Sequence, residues 1–505
     1  MEELRLFGSY KAKVSLKLIE RIRGRPNGKL ICVSSMTPTA AGEGKTVTAI
    51  ALTEALGLLK KKVMLCLGQP VASGLFTGGG NTAGAGYAQL LPGDEINLHF
   101  TGDLHAVQTA ANFLASVLDN HRLRGNALGI EPGATFWRRT ADPYDWALAD
   151  NAETSFESAS SSEIMSLLTL SKSLSELKAR LGRAVVGLGK NGKPVTVQDL
   201  KAAGALALFL RDAIEPNLVQ TLDGLPCLIH AGSSGTLASP GIAALETALK
   251  LADYVVLETS HGTDIGLERF FDILAPRFRI EPNLVLIVAT VRALRGQSES
   301  GAFEKGFENL AKHVENVRQY GVEPLVVLNR FSEDTDADFR LILDTLRLKQ
   351  IEAVTALPVQ KGGEGALELG EAALKILARK SKGLRPLVAE TSKIADKCRE
   401  IAQRVYGAQD VIFAPQAQRD LELCEKLGLG TASVQIAKTP FSLTDDPARR
   451  GAPRDWKLKI SRIRIQAGAG IVTAHAGVPA PQVPAESLYE RFDVDDTGRM
   501  VETAS

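Results

Sequence analysis

The sequence predicts an α/β fold built on a largely parallel sheet with helices on both faces. Short, continuous apolar segments alternate with helical patterns over most of the chain, and a glycine-rich turn joins the first apolar segment to a helix. The 505 residues are 45% hydrophobic and 23% charged, which is ordinary for a globular protein and excludes a disordered or low-complexity chain. Apolar strands separated by helices are typical of parallel sheets that are buried on both faces.

The elements follow from their composition. Six apolar segments of strand length predict the sheet, and they cover 29–35, 61–68, 226–232, 253–260, 283–291 and 323–331. Helical patterns follow two of them, over Thr46–Lys60 and 241–251. From residue 451, the alternation in WKLKISRIRIQ predicts a small terminal sheet. Two stretches interrupt the rhythm: a glycine-rich region over 73–103 and a serine-rich acidic connector over 150–163.

Charge and cysteine usage narrow the function classes. Lys+Arg 59 against Asp+Glu 58 leaves a net charge of +1, so we expect neither a nucleic-acid nor a membrane partner. The five cysteines lie far apart without a CxxC pair, which predicts free thiols rather than disulfides or a zinc site. No apolar segment reaches the roughly 18 residues of a membrane span, and the charged start does not resemble a signal peptide. We therefore expect a cytoplasmic protein.

The most informative motif is the segment TPTAAGEGKT over 37–46, which follows a strand and opens a helix. It matches the phosphate-binding P-loop G-x-x-x-x-G-K-[ST], except that Thr39 replaces the first glycine. Glycines let backbone amides turn toward phosphate oxygens, the lysine reaches the β- and γ-phosphates, and the hydroxyl that follows ligates Mg²⁺. The predicted nucleotide-binding residues in this loop are Thr39, Gly42, Glu43, Gly44, Lys45 and Thr46, with Thr46 also the metal ligand. The alternative is a tight turn whose lysine is merely solvated.

Longer segments extend the match along nearly the whole chain. They include GYAQLLPGDEINLHFTGDLHAV (86–107), RDAIEPNLVQTL (211–222), HGTDIGLERFFDI (261–273), LNRFSEDTDAD (328–338) and AKTPFSLTDDP (437–447). Together with the P-loop, these segments resemble formate–tetrahydrofolate ligase. The resemblance implies a reaction that joins formate to tetrahydrofolate through formyl phosphate, with ATP and Mg²⁺, a stimulating monovalent cation and a homotetramer.

Residue by residue, the nucleotide part of the family pattern is present. The resemblance implies that Lys45, His99, Asp103 and His105 belong to the reaction centre. Further polar residues also match, namely Asn97, Thr101, Gly102, Asp119, Asn120 and His121. The alternative for each histidine is a structural role without chemistry.

The formyl-phosphate and pterin parts of the pattern are altered. Gly68 stands where the family has the arginine that resembles the main cationic partner of the intermediate, and Gly79 replaces a lysine. Val359 replaces the tryptophan of the pterin clamp, so Phe331 is the predicted remaining wall for the ring. Arg139, Arg292 and Arg295 are candidates to replace the missing cations.

Three readings of the function remain open at this point. The chain is a formate–tetrahydrofolate ligase with substituted cations, an enzyme of the same scaffold for another acid, or an ATP-binding regulatory or partner subunit without ligase chemistry. Its partners would be small-molecule substrates and further copies of itself, or a different chain in a hetero-complex. By resemblance, 1–72 and 223–318 form a doubly wound P-loop domain, 73–222 an inserted α/β domain and 319–505 a C-terminal α/β domain.

Overall fold

The computed structural model describes residues 3–71, 76, 82–141, 156–190, 192–232, 235, 237–477, 489–496, 498 and 500–502. The strands in this part of the chain are β1 (Leu4–Leu6), β2 (Ala12–Val14), β3 (Lys29–Ser35), β4 (Val63–Gln69), β5 (Gly84–Ala85), β6 (Ala88–Leu91), β7 (Ile130–Thr135), β8 (Arg139–Ala141), β9 (Phe156–Ser158), β10 (Val185–Gly189), β11 (Pro194–Thr196), β12 (Asn217–Thr221), β13 (Pro226–Gly232), β14 (Tyr254–Glu258), β15 (Pro282–Ala289), β16 (Pro324–Asn329), β17 (Ala353–Ala356), β18 (Asp410–Phe413), β19 (Ser433–Ala437), β20 (Lys457–Gln466), β21 (Ile471–Ala476), β22 (Phe492–Val494) and β23 (Met500–Glu502).

The α-helices in the same residues are α1 (Leu16–Ile22), α2 (Lys45–Leu58), α3 (Gly93–Asn97), α4 (Asp103–Leu123), α5 (Glu163–Leu170), α6 (Leu174–Arg183), α7 (Ala203–Phe209), α8 (Ile242–Leu251), α9 (Ala275–Phe278), α10 (Val291–Gly296), α11 (Glu304–Gln319), α12 (Asp336–Leu348), α13 (Pro358–Lys361), α14 (Leu367–Leu377), α15 (Ile394–Arg404) and α16 (Pro415–Lys426). Short 3₁₀ turns cover Ala159–Ser161, Glu364–Ala366 and Tyr489–Arg491, and π-helical turns cover Thr263–Leu267 and Phe270–Leu274.

The largest sheet organises the molecule. Its order is β1-β2-β12-β13-β4-β14-β3-β15-β16-β17, with the β5–β6 hairpin attached through β6 to β12. The seven strands from β13 to β17 in this order are parallel, whereas β1, β2 and β12 pair antiparallel at one side. The carboxyl ends of parallel strands meet at one edge of a sheet, which is where ligands bind in open α/β folds.

Alternate residues of these strands face two separate cores. On β3, Ile31 and Val33 pack in the core that contains α2 and α14, whereas Leu30 and Cys32 pack in the core that contains α8. All four side chains are fully buried. Helices therefore cover both faces, and the predicted α/β fold is confirmed.

Most predicted elements are present with shifts of one to three residues. The strands predicted over 29–35 and 226–232 are β3 and β13 without any change of boundary. The predicted helix after the P-loop is α2, which begins at Lys45 and ends at Leu58. The predicted terminal strand is β20, and it forms the four-stranded sheet β18-β20-β21-β19.

The domain boundaries stay a prediction, although the sheet bears on how they are drawn. β16 and β17 continue the main sheet beyond residue 318, and β12 joins it from the predicted insertion. Smaller sheets lie elsewhere: β11-β10-β7, β8-β9 and β22-β23. Much of the glycine-rich region, over 72–75 and 77–81, and the connector up to residue 155 lie outside the described residues.

Two expectations about composition can be compared with the described residues. All five cysteines are buried and free, and burial raises the pKa of the Cys32 and Cys66 thiols. Within the described ranges, no group of three or more His, Cys, Asp or Glu side chains is arranged to hold a metal ion, and no helix is long and apolar enough to cross a membrane.

Candidate active site

The P-loop joins the end of β3 to the start of α2 at the carboxyl edge of the main sheet. Gly42 and Gly44 have φ values of 73° and 76°, a left-handed conformation that glycine adopts without steric cost. A Cβ on Gly44 would also lie only 3.0 Å from the Asn329 amide nitrogen. Both glycines are therefore required by the backbone path of the loop.

Lys45 and Thr46 begin α2, where the first backbone amides have no carbonyl partner within the helix. Among the described residues, the Lys45 ammonium forms no ion pair or hydrogen bond, and its side chain is half-buried. The Thr46 hydroxyl donates to Oε2 of Glu258 at 2.9 Å. The loop thus presents one uncommitted cation and one hydroxyl beside a carboxylate, as phosphate and Mg²⁺ binding require.

Glu258 is the residue of this site that sequence reasoning missed. It ends β14, the strand next to β3 in the sheet, and is buried. Burial raises the pKa of its carboxyl group, while Lys45 and the Thr46 hydroxyl act in the opposite direction. Its Oε1 is buried without a hydrogen-bond partner among the described residues. The available signal was a glutamate at the end of an apolar strand, DYVVLE, although that signal alone is weak.

Glu43 braces the loop from inside. Its Oε1 accepts hydrogen bonds from the Thr39 amide at 2.6 Å and the Thr39 hydroxyl at 2.8 Å. Its Oε2 accepts from the Thr290 hydroxyl and lies 3.5 Å from Nε of Arg292. Thr39 and Glu43 were predicted to bind nucleotide. That role stays a prediction, and their observed contacts hold the loop in shape.

A second support lies beneath the loop. The Thr37 amide donates to Nε2 of His313 at 2.8 Å, so Nε2 accepts and the Nδ1 proton faces the Thr263 hydroxyl 2.7 Å away. Burial lowers the pKa of His313 to about 4, so the ring is neutral at pH 7. Asn309 also donates to the Thr37 hydroxyl at 2.9 Å. These polar residues of α11 gave no sequence signal because helices commonly carry such residues on their solvent face.

His261 follows β14 at the same edge of the sheet. Its φ of 59° is a strained value for a non-glycine residue. Burial and, next, the positive charges of Lys45 and Arg269 lower the pKa of its imidazole to about 3. The ring is therefore neutral at pH 7 and leaves Lys45 as the cation of this part of the site.

Phe331, the predicted ring wall, lies beside the P-loop. The Arg292 guanidinium stacks over its ring, with 4.1 Å from Cζ to the ring centroid, and also donates to the Gly42 carbonyl. The Phe331 amide donates to Asp334 at 2.8 Å. The Arg292 cation thus holds Phe331 on one face of its ring. Cζ of Phe331 would lie 4.0 Å from a Cβ on Gly44, so the ring is next to the P-loop.

The segment of Val359 contacts the loop of Tyr87 and also Arg330, the residue before Phe331. The Val359 carbonyl accepts from the Tyr87 amide at 3.0 Å, and the Gln360 side chain donates to the Arg330 carbonyl at 3.1 Å. A Cβ on Gly86 would lie 2.1 Å from the Val359 carbonyl oxygen, so these two loops are in close contact. The place of Val359 in a pterin clamp stays a prediction from the family resemblance.

The predicted catalytic residues His99, Asp103 and His105 lie in another part of the structure. Asp103 is buried and accepts from the Lys13 ammonium with both carboxylate oxygens at 2.8 Å and from Asn217 at 2.8 Å. Burial lowers the pKa of Lys13, and the charge of Asp103 opposes this shift. Asp103 is thereby anchored to β2 and β12.

The two histidines are exposed. Their ring centroids lie 5.7 Å apart in a T-shaped arrangement. Because β12 is four strand spacings from β3, Asp103 is about 19 Å across the sheet from the P-loop strand. The structure brings these three residues together with one another and not with Lys45, and their catalytic role stays a prediction.

The three arginines considered as replacement cations all have other partners. Arg139 pairs with Asp119 at 2.6 Å, and Arg295 pairs with Asp338 at 2.7 Å. Arg292 follows β15, which is three strand spacings, about 14 Å, from β4 and Gly68. Whether one of the three replaces the arginine that the family resemblance predicts at position 68 stays a prediction; Gly79 lies outside the described residues.

A family model described as "Formate--tetrahydrofolate ligase" matches residues 1–503. A protein from Desulforamulus reducens named formate–tetrahydrofolate ligase is 39% identical over 539 aligned positions, which cover 99% of this chain and 94% of that relative. The likeness therefore extends over all parts of the fold described above.

Proposed function

The chain belongs to the formate–tetrahydrofolate ligase family, and we propose that it binds ATP and Mg²⁺ at the P-loop and catalyses the family reaction slowly. That reaction converts ATP, formate and tetrahydrofolate to 10-formyltetrahydrofolate, ADP and phosphate. The observation that carries the proposal is the arrangement of Lys45, Thr46 and Glu258 at the start of α2.

The residues present fit a magnesium ion. Thr46 and Glu258 offer a hydroxyl and a carboxylate 2.9 Å apart, and Oε1 of Glu258 is buried without a partner among the described residues. Oxygen ligands of this kind, completed by water and phosphate, are what Mg²⁺ takes. The ion would neutralise charge on the transferring phosphate. Lys45 would bind phosphate oxygens directly, and the amides at the start of α2 would face them.

The proposed chemistry has two transfers. A formate oxygen attacks the γ-phosphorus, ADP leaves, and formyl phosphate forms. N10 of tetrahydrofolate then attacks the formyl carbon, phosphate leaves, and the N10 proton passes to phosphate or solvent. Lys45 stabilises the charge that moves between the phosphoryl oxygens in the first transfer. The rings of His261 and His313 are neutral at pH 7 and add no positive charge beside Lys45.

By the same reasoning, the formyl-phosphate and pterin part of the site stabilises the transition state only weakly. Removing one preorganised donor at a developing charge costs about 10²–10³ in rate, so two missing cations cost on the order of 10⁴–10⁶. Gly68 and Gly79 are those positions. Replacing an aromatic wall by Val359 removes a further contribution of about 0.5–1.5 kcal/mol to ring binding. A slow ligase follows from these magnitudes.

A second candidate function is favoured by the pairing of Arg139 and Arg295 with Asp119 and Asp338 and by the stacking of Arg292 on Phe331. With no substitute for the arginine at position 68, the chain would bind ATP without the ligase reaction. It would then act as a regulatory or partner subunit, or on a different acid. In either case, the proposed partners are small molecules and further copies of this chain or a second protein. A monovalent cation and tetrahydrofolate are proposed ligands by family membership alone.

ATP hydrolysis by the purified protein separates these candidates. The slow ligase is expected to release phosphate only when formate and tetrahydrofolate are both present, in step with 10-formyltetrahydrofolate. Release driven by another carboxylic acid and not by formate would identify a changed substrate. ATP binding without turnover under any of these conditions would favour the non-catalytic subunit and contradict the ligase proposal.

A further inference from the structure

A groove with a strong positive charge lies at the amino edge of the main sheet, where β3, β4 and β14 begin. Six cationic side chains line it, from Arg25, Lys29, Lys60, Lys61, Lys62 and Lys250. The acidic lining residue is Asp253. Five of the six cations are exposed, and Lys250 is half-buried. This concentration contrasts with a net charge of +1 for the entire chain.

The cations of the groove are not neutralised by carboxylates. The Lys29 ammonium donates to the Leu377 carbonyl at 2.5 Å, and the Lys250 ammonium donates to the Arg25 carbonyl at 2.6 Å. None of the six forms an ion pair with any residue in the described part of the chain. By contrast, exposed cations such as Arg379 and Lys382 pair with nearby glutamates.

The negative carboxyl ends of nearby helices offset only part of this positive charge. The carboxyl ends of α1, α2 and α8 meet at the groove, and each carries about half a negative charge that basic residues stabilise. These three ends and Asp253 together offset between two and three of the six positive charges. A surplus of about three to four positive charges remains, which is enough to attract a multivalent anion.

Lys60 adds an independent observation. It lies just after α2 with a φ of 59°, and the Lys61 amide donates back to the Leu56 carbonyl at 2.9 Å. This is the left-handed helix-ending position that glycine usually occupies. A lysine at this position costs backbone energy. The position therefore supplies a cation to the groove where fold stability alone would favour glycine.

The groove is separate from the P-loop. The seven residues of β3, about 23 Å of strand, separate the groove at its start from the P-loop at its end. We propose that the groove binds a small polyphosphate anion, since the cations converge from three chain segments (25–29, 60–62 and 250–254) on one compact depression and do not form the extended track that a nucleic-acid strand needs. This site is additional to the nucleotide site and does not depend on the proposed ligase activity.

The test uses sodium tripolyphosphate as the probe and the full-length protein. Acetylation of lysine amines, followed by mass spectrometry, should show protection of Lys60, Lys61 and Lys62, and this protection should disappear as salt screens the charges. A Lys60→Gly/Lys61→Gln/Lys62→Gln variant should lose at least about tenfold in tripolyphosphate affinity at the groove. Its melting temperature should hold or rise, since Lys60→Gly removes the strained lysine.

The matched control replaces three exposed, unpaired lysines elsewhere: Lys178→Gln/Lys349→Gln/Lys426→Gln. This control has three lysine-to-glutamine changes, whereas the groove variant has two and one lysine-to-glycine change. It should retain the lysine protection and the tripolyphosphate affinity of the original protein. Binding at the P-loop is common to all three proteins and is monitored by protection of Lys45. Equal protection of control and groove lysines, or binding of single-stranded RNA without binding of tripolyphosphate, would overturn the proposal.

Discussion

The two sides of the candidate active site differ in how completely they are built. On the nucleotide side, Lys45 and Thr46 are held by a loop that Glu43, Asn329 and His313 brace with hydrogen bonds. On the formyl and pterin side, the family resemblance predicts an arginine and a tryptophan where this chain has Gly68 and Val359. The first side has charge and hydrogen-bond donors in fixed positions, whereas the second is predicted to lack a cation and an aromatic ring at these two positions.

The contrast separates a half of the site that hydrogen bonds hold in place from a half whose chemistry rests on the family resemblance alone. The hydrogen bonds that brace the P-loop come from Thr290 just after β15, from Asn329 on β16 and from His313 on α11, so changes in the loop would disturb the core of the sheet. Gly68 and Val359 have no polar side-chain group that could join such a network, so substitutions at these two positions are expected to disturb the P-loop less.

The largest expected effect is at Lys45. We predict that Lys45→Ala lowers the rate of any ATP-dependent reaction about 10³-fold, because it removes the uncommitted cation beside the phosphates. Steady-state ATP turnover measures this effect, with Lys349→Ala as a surface control. Unchanged turnover in Lys45→Ala would contradict the claim that the nucleotide side of the site is functional.

Next is the buried ion pair at Asp103. We predict that Asp103→Ala lowers the free energy of unfolding by about 3 kcal/mol, because it leaves the buried Lys13 ammonium unpaired. Urea unfolding followed by circular dichroism measures this loss. The double variant Lys13→Met/Asp103→Leu should recover much of it. Lost activity with unchanged stability would instead place Asp103 in catalysis, as the family resemblance implies.

Glu258 gives the nucleotide side a pH dependence. Its raised pKa means that protonation begins above the ordinary glutamate value of 4.5, and the protonated form cannot ligate Mg²⁺. We predict that MgATP affinity falls as pH is lowered through the raised pKa of Glu258, and that Glu258→Gln binds about tenfold more weakly where Glu258 is ionised and has a flatter pH profile. In the free protein the sign is opposite: stability falls as pH rises through the raised pKa, because the unfolded chain ionises more easily.

Calorimetric titrations at several pH values test this prediction. An identical pH profile for the original protein and Glu258→Gln would remove Glu258 from the metal site. Glu258→Asp serves as the conservative control, since it keeps the carboxylate and should retain the slope of the profile.

The smallest expected effect is at the ring wall. We predict that Val359→Trp lowers the KM for tetrahydrofolate about threefold to tenfold and leaves the KM for ATP unchanged, because it introduces the aromatic ring that the family resemblance predicts at this position. Val359→Leu adds size without an aromatic ring and should have little effect. A change in both KM values would show that position 359 acts through the contact with Gly86 and the loop, and not through the ring.

The sequence predicted the sheet and the P-loop well because local pattern determines them. Apolar runs such as KLICVSS are typical of strands in a parallel sheet that is covered on both faces. Gly42 and Gly44 lie where the backbone of the loop requires a positive φ. Glu258, Asn329 and His313 could not be predicted as partners of the loop. Their contacts arise when strands and helices far apart in the chain meet at one edge of the sheet.

The measurement that tests the central claim most directly is formyl transfer by the original protein beside Gly68→Arg. Both are assayed with ATP, formate and tetrahydrofolate, and Gly68→Met controls for added size. We predict weak turnover by the original protein, a gain of about 10²–10³ in the rate of Gly68→Arg, and no gain in Gly68→Met. Rapid turnover by the original protein that Gly68→Arg does not increase would contradict the claim that the formyl-phosphate side has lost its main cation.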